Sequence, residues 1–297
     1  MPVTEPVTKI KKAVIPAAGF GTRLFPATKV VKKELFPIID RDGRAKPAIL
    51  LIIEEAISAG IEEVAIIVQP QDKKTFKTLF NRPPSAELFE KLTPENQKFS
   101  KYLVDLGDRI TFLTQEQQEG YGHAVYCARE WVDNQPFLLL LGDHIYRSHQ
   151  DKSCAQQLME VYHRHQNNVI GLATVKGDLL HKVGCVTGNW QEENTTLNIS
   201  EIAEKPSLEY AREKLQVSGI GEDNFLSIFG LYILSPTIFD LLAADIANNV
   251  RMKGEFQLTT CLEKLRAAEG MTGYLVDGKL FDIGMPNLYL ETLTSFI

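Results

Sequence analysis

The sequence predicts an α/β fold, a mostly parallel sheet covered on both faces by helices. Three observations carry this. Short apolar runs alternate with longer segments of helical period along most of the 297 residues, the pattern of βα units. The runs at 64–69 and 137–141 are nearly continuous in apolar residues, as strands buried on both faces require. The first strand runs into a glycine-bearing turn, Ala17-Ala18-Gly19-Phe20-Gly21, and open α/β sheets place ligands beyond such strand ends.

Residues 13–18 form the first strand. Residues 46–59 read as a helix closed by Gly60, which suits the left-handed C′ position. Residues 64–69 are the next strand. Residues 94–106 are helical, because Thr93 is a capping residue and Pro94 fits the first turn, where its missing N–H loses no bond. A strand at 110–114 and a helix at 122–131 follow, then the strand at 137–141, which leads into Gly142-Asp143. A helix at 153–165 and a strand at 169–175 come next. The stretch 177–224 is irregular, with room for antiparallel strands over a site. A strand at 227–234 and helices at 236–244 and 256–268 complete the pattern. No repeat or long linker divides the chain, so one domain is expected over 1–297, with residues 1–8 as a disordered tail.

Hydrophobic residues make up 44% and charged residues 24% of the chain, the balance of an ordinary globular protein. No apolar run approaches the ~20 residues that span a bilayer. Residues 1–8 contain two prolines and lack the apolar region of a secretory signal. A cytoplasmic protein with no membrane partner is expected, and a plastid location fits if a targeting segment has been removed. The net charge of −6 argues against broad nucleic-acid binding. The first 46 residues nevertheless hold ten Lys/Arg against four Asp/Glu, so the remainder carries −12. A basic segment on an acidic protein suits a small anionic ligand held locally. Cys127, Cys154, Cys185 and Cys261 form no Cys-x-x-Cys pair and read as buried free thiols in a reducing compartment.

The turn at Gly19-Phe20-Gly21-Thr22-Arg23 lacks a third glycine, since Leu24 stands in its place, and no Gly-Lys-Ser/Thr ending marks a P-loop. A nicotinamide dehydrogenase is weakened accordingly. Alone, a two-glycine turn is structural more often than functional. Here Arg23 and Lys33 add positive charge close to it, and successive N–H groups in such a bend can cradle an anion. The full run, through Pro26-Ala27-Thr28-Lys29, Lys33-Glu34 and Phe36-Pro37, resembles the signature of sugar-1-phosphate nucleotidyltransferases. Within them it is most similar to bacterial-type UTP–glucose-1-phosphate uridylyltransferases. The likeness continues through Gln115, Gly120 to Ala124, Asp143, Glu204-Lys205-Pro206, Glu255 to Thr259 and Asp282.

The resemblance implies a Rossmann-like nucleotidyltransferase fold with a mixed, mostly parallel sheet flanked by helices. It implies uridylyl transfer from UTP to glucose 1-phosphate, with Mg²⁺ as cofactor. Such a transfer needs positioning and charge neutralisation more than covalent help. Arg23, which can grip phosphate bidentately, would hold the triphosphate, and Lys33 would meet charge growing at the α-phosphate. Ala18, Gly19, Gly21 and Thr22 would form the nucleotide loop, while Gln115 and Gly120 would meet the base. Gly184, Glu204 and Lys205 would hold the sugar phosphate, and Asp143 and Asp282 the metal. Glu204-Lys205-Pro206 also reads as an extended segment before proline. His123, near a helix start, reads as structural, and His144, His149, Trp131 and Trp190 show no spacing beyond core or surface roles.

The chain departs from the common pattern at Lys32, where proline is usual, at the inserted Arg41-Asp42-Gly43-Arg44-Ala45, and along residues 144–149. These changes resemble a divergent, plastid-type or cyanobacterial-like branch. A thymidylyl donor, a galactose or N-acetylglucosamine acceptor, and a catalytically silent nucleotide-sugar sensor stay open as alternatives. A homo-oligomer is compatible with the sequence.

Overall fold

The computed structural model describes residues 9–192 and 194–296, so the tail expected at 1–8 lies outside the described residues. The first half of the chain holds β1 (Lys12–Pro16), β2 (Pro37–Ile39), β3 (Ala45–Pro47), α1 (Ala48–Ser58), β4 (Glu63–Val68), α2 (Lys73–Asn81), α3 (Ala86–Glu90), α4 (Pro94–Gly107) and β5 (Ile110–Thr114). Then come α5 (Tyr121–Tyr126), α6 (Arg129–Val132), β6 (Phe137–Leu140), β7 (His144–Ser148), α7 (Cys154–His165) and β8 (Val169–Lys176). The remainder holds β9 (Gly184–Glu192), β10 (Thr196–Glu204), α8 (Leu208–Lys214), β11 (Asn224–Leu234), α9 (Thr237–Ala247), α10 (Leu258–Glu269), β12 (Thr272–Leu275), β13 (Gly278–Asp282) and α11 (Pro286–Ser295).

Nine strands join in the order β5-β4-β1-β6-β11-β8-β12-β10-β9. Neighbours are parallel from β5 to β6 and again at β8–β12. The other pairings are antiparallel. The sheet is therefore mixed, as the resemblance implied, with its parallel share concentrated in the N-terminal half. β1 lies between β4 and β6, so the chain leaves β1 toward one side and later returns on the other. A crevice opens at such a switch point, beyond the carboxyl ends of β1 and β6.

Both faces of the sheet are buried. Ala13 and Ile15 of β1 pack in one apolar cluster with Ile49 and Ile53 of α1 and Leu158 of α7. Val14, pointing the other way, packs with Val125 of α5, Leu242 of α9 and Leu262 of α10. Each fully buried Val, Leu or Ile contributes about 1.5–3 kcal/mol. That two-sided burial explains why these strands show no polar alternation.

Local signals set several boundaries. Gly60 (φ +87) closes α1, with its N–H donating to Ile57 O at 3.0 Å. Thr93 caps α4 by accepting from Asn96 N at 3.3 Å, and Ser153 forms a reciprocal capping box with Gln156 at α7. The helix expected from residue 46 begins only at Ala48. Lys46-Pro47 instead pairs with Pro37-Ile38, because a residue before proline is driven toward extended backbone. Lys46 Nζ then reaches Asp40 Oδ2 at 2.5 Å and Glu54 Oε2 at 3.0 Å. The helix expected at 122–131 splits into α5 and α6. The irregular stretch does hold an antiparallel pair, β9–β10, and α8. Neither α2 nor the two-stranded pair β7–β13 was read from the sequence. Cys154, Cys185 and Cys261 are buried and Cys127 is partly exposed, all four free. Among the described residues, no helix is long and apolar enough to cross a membrane.

Candidate active site

The turn after β1 is shaped by one glycine. Gly21 has φ +67, and a Cβ there would lie 2.9 Å from Thr28 Cγ2. Thr28 Oγ1 also donates to the Gly21 carbonyl at 3.0 Å, which ties the bend down. Gly19 lies outside the left-handed region, and a Cβ there would only touch the end of Lys33 at 3.9 and 4.0 Å. The Ala18 carbonyl accepts from Gln69 Nε2 at 2.6 Å and Gln118 Nε2 at 2.5 Å. A planar trans peptide then directs the Gly19 N–H the opposite way. Among the described residues, no protein acceptor takes an N–H from residues 18–23. Such a run of unpaired N–H groups is the raw material of an anion nest.

Lys33 Nζ is ion-paired with Asp143 Oδ2 and lies 3.6 Å from Glu34 Oε1. Burial works against the lysine's charge, but Asp143 and Glu34 outweigh it and raise its pKa. Burial alone would also raise Asp143, yet Lys33 and then His144 hold it down at about 2. Glu34 is pushed up by burial to about 7, against the pull of Lys33.

Asp143 follows Gly142 at the carboxyl end of β6. β13 pairs with β7 so that Asp282 stands opposite His144, and Ile283 N donates to Asp143 O at 2.9 Å. The two aspartates therefore meet although 139 residues apart. Gly284 leaves the space between them open. A Cβ there would lie 2.9 Å from Asp282 Oδ1, 3.1 Å from Asp143 Oδ2 and 3.4 Å from Arg23 Nη2. The structure thus gathers Arg23, Lys33, Asp143 and Asp282 on one face, from separate stretches of chain. Asp282 Oδ1 accepts from Gly284 N at 2.6 Å and Asp143 Oδ2 holds Lys33, so both carboxylates bring hard oxygens to this end of the clefts.

Two clefts meet at Asp143. The first, of about 380 Å³, is lined by Ala18, Gly19, Lys33, Gln115, Gly120 and Asp143 among others. Gln115 Nε2 donates to Gly120 O at 3.1 Å and lies 3.0 Å from His123 Nδ1. Gly120 has φ +111, and a Cβ there would come 2.7 Å from Glu255 Cβ. The second cleft, of about 700 Å³, shares Tyr121, Leu141 and Asp143 with the first and adds Arg23, Gly184, Glu204, Lys205 and Asp282. Gly184 stands opposite Glu204 across β9–β10. Glu204 is held on both oxygens, by Thr259 Oγ1 at 2.9 Å and Lys205 Nζ at 3.0 Å. Gly21 and Thr22 line neither cleft.

One expectation fails here. Lys205 is not extended before Pro206 but has φ +48. The chain turns off the end of β10 at this residue, and its N–H stays bound to Val183 O at 3.1 Å. Other groups at the site escaped the sequence reading. Gln69 and Gln118 orient the Ala18 peptide, and Thr259 fixes Glu204. His144 Nε2 lies 4.0 Å from Asp143 Oδ1, and its Nδ1 is buried with no partner among the described residues. Only residues already inside a quoted motif, such as Glu34 and Thr259, carried any signal.

The chain matches the nucleotidyl transferase family over residues 12–296. UTP–glucose-1-phosphate uridylyltransferase 2 of Staphylococcus saprophyticus is 36% identical over 290 residues, 97% of this chain and 92% of that protein. The UTP–glucose-1-phosphate uridylyltransferase of Bacillus subtilis is 35% identical over 290 residues, 97% and 91% of the two chains. Among solved structures, an apo UDP-glucose pyrophosphorylase is similar with a TM-score of 0.81 and 29% identity, covering 97% of this chain and 98% of that one. A UTP-bound UGPase from Acinetobacter baumannii gives 0.76 and 28%, covering 97% and 93%.

Proposed function

The chain belongs to the nucleotidyl transferase family, and from that premise we propose that it transfers the uridylyl group of UTP to glucose 1-phosphate. The products are UDP-glucose and pyrophosphate. The observation that carries the reading is the convergence of Arg23, Asp143 and Asp282 around Gly284, with Lys33 on Asp143, where the two clefts join.

In this reading an oxygen of the sugar phosphate attacks the α-phosphorus in line, and the bond from that phosphorus to the pyrophosphate oxygen breaks. The protein supplies placement and charge. The unpaired N–H groups of residues 18–23 and the Arg23 guanidinium take the triphosphate oxygens. Lys33 sits between that loop and Asp143, positioned to meet negative charge as it moves toward the leaving group. Gln115 and Gly120 hold the base in the first cleft. Gly184, Glu204 and Lys205 hold the sugar phosphate in the second, with Glu204 accepting from hydroxyl groups.

The residues present fit Mg²⁺. Asp143 and Asp282 both bring hard carboxylate oxygens to Gly284, which has no side chain to come between them. No cluster of three or more His, Cys, Asp or Glu suited to a metal exists among the described residues. Mg²⁺ needs no more, because it takes one or two carboxylates and completes its shell with phosphate and water. Bound there, it would neutralise triphosphate charge. We further propose that residues 9–296 work as one catalytic domain, in the cytoplasm, where the four free thiols stay reduced.

The test is pyrophosphate release by the purified chain from UTP and glucose 1-phosphate with Mg²⁺. Turnover is expected. Absence of pyrophosphate from every pairing of a pyrimidine triphosphate with a hexose 1-phosphate overturns the reading.

A further inference from the structure

Gln115 is 3% exposed, and its amide orientation is fixed by what surrounds it. A carbonyl oxygen only accepts, so the atom 3.1 Å from Gly120 O is the nitrogen, Nε2. The same nitrogen lies 3.0 Å from His123 Nδ1. An amide nitrogen only donates, so His123 Nδ1 is the acceptor and the imidazole proton sits on Nε2. That nitrogen faces Glu119 Oε2 at 3.8 Å, and Glu119 is in turn held by Arg251 Nη2 at 2.5 Å. The ring is pinned from the other side too. Gly122 N donates to Phe256 O at 2.9 Å, which brings the His123 and Phe256 rings to 6.4 Å between centroids.

Both amide hydrogens of Gln115 are thus directed at protein acceptors. Its remaining hydrogen-bonding atom is Oε1. We propose that His123 is a positioning residue for base choice: by accepting from Gln115 Nε2, it commits Gln115 to present an acceptor to the nucleotide base. Uracil and thymine carry a donor at ring position 3, whereas cytosine carries an acceptor there. Turning the amide over would set Oε1 against both Gly120 O and His123 Nδ1, two acceptors at once. Discrimination against cytosine therefore originates one residue behind the one that meets the base. The inference rests on the reading of Gln115 as the base contact.

The experiment compares kcat/KM for UTP and CTP, each with glucose 1-phosphate, in the unaltered chain, His123→Ala and His123→Asn. Asn Oδ1 can replace Nδ1 as acceptor. His123→Ala is expected to lower the UTP-to-CTP preference about tenfold, through the KM for UTP more than through kcat, and His123→Asn to restore most of it. An unchanged preference in His123→Ala, or an equal loss in both variants, overturns the proposal. A second readout needs no variant to fold well. In the intact protein, the His123 ring nitrogens observed by NMR must carry the proton on Nε2, and a proton on Nδ1 overturns it. Lack of UTP turnover by the unaltered chain would instead defeat the proposed function.

Discussion

Lys33 is a cation held by carboxylates, and that explains both its charge and its vulnerability. Asp143 and Glu34 raise its pKa against the effect of burial, so it stays protonated at any working pH. A fixed charge near a leaving group stabilises the transition state more than the bound substrate. Lys33→Ala is therefore expected to lower kcat by about 10²–10³-fold, with a smaller change in UTP affinity. Single-turnover rates beside a UTP titration check this, and equal losses in both would place Lys33 in ground-state binding. Asp143→Asn should abolish Mg²⁺-dependent turnover while UTP still binds, and retained turnover would remove Asp143 from the metal site. These two residues were legible because each sits in a run with distinctive neighbours. His144 was not, although it stands beside Asp143. Its position depends on the β7–β13 pairing, which brings together residues 138 apart.

Among elements, β7 and β13 matter beyond their length, because their register, with the Ile283 N–H on Asp143 O, sets Asp282 beside Asp143. Gly284 follows that pair, and a Cβ there would crowd both carboxylates. Gly284→Ala is expected to raise the Mg²⁺ concentration for half-maximal activity about 10–100-fold, with the fold intact, since Gly284 has no left-handed φ. An unchanged Mg²⁺ profile would move the metal away from this point. The helices offer a separate test through pH. Glu55 of α1 accepts from Ala155 N at 2.7 Å at the start of α7, and burial pushes its carboxyl up to about 7 from an ordinary 4.5. A raised carboxyl pKa lends stability that is complete below about 4.5 and is lost as pH climbs through 7. Thermal midpoints should therefore fall between those values, and Glu55→Gln should flatten part of that slope. Glu34, also held near 7, and Glu54, whose carboxyl burial raises, would add to the same slope. An identical slope in the variant would mean that Glu55 keeps an ordinary pKa. Capped helices such as α4 and α7 and the continuously apolar β6 could be read from the sequence. The pairing of β7 with β13 could not, because short strands of mixed composition carry no period of their own.

Across the whole molecule, the alternation of strands and helices was legible, but the strand order was not. Local pattern cannot tell that β11 joins β6 to β8, pairing residues that lie far apart in the chain. That order matters for function, since it seats the parallel half and the antiparallel half of the sheet on either side of Asp143. The first cleft draws on Ala18, Gln115 and Gly120, the second on Gly184, Glu204 and Lys205. In this reading UTP fills the first and reaches only Arg23 and Asp282 of the second, whereas UDP-glucose extends on to Glu204 and Lys205. Hydrogen exchange separates the cases. A ligand at a hundred times its Kd stabilises the native state by about 2.7 kcal/mol, which slows every amide that exchanges through global unfolding. The informative amides are those that exchange locally, above all the unpaired N–H groups of residues 18–23. UTP with Mg²⁺ should slow these and the amides of 115–124, leaving 204–205 close to their unliganded rates. UDP-glucose should slow 204–205 as well. Equal protection of 204–205 by UTP alone would mean that the two clefts respond as one.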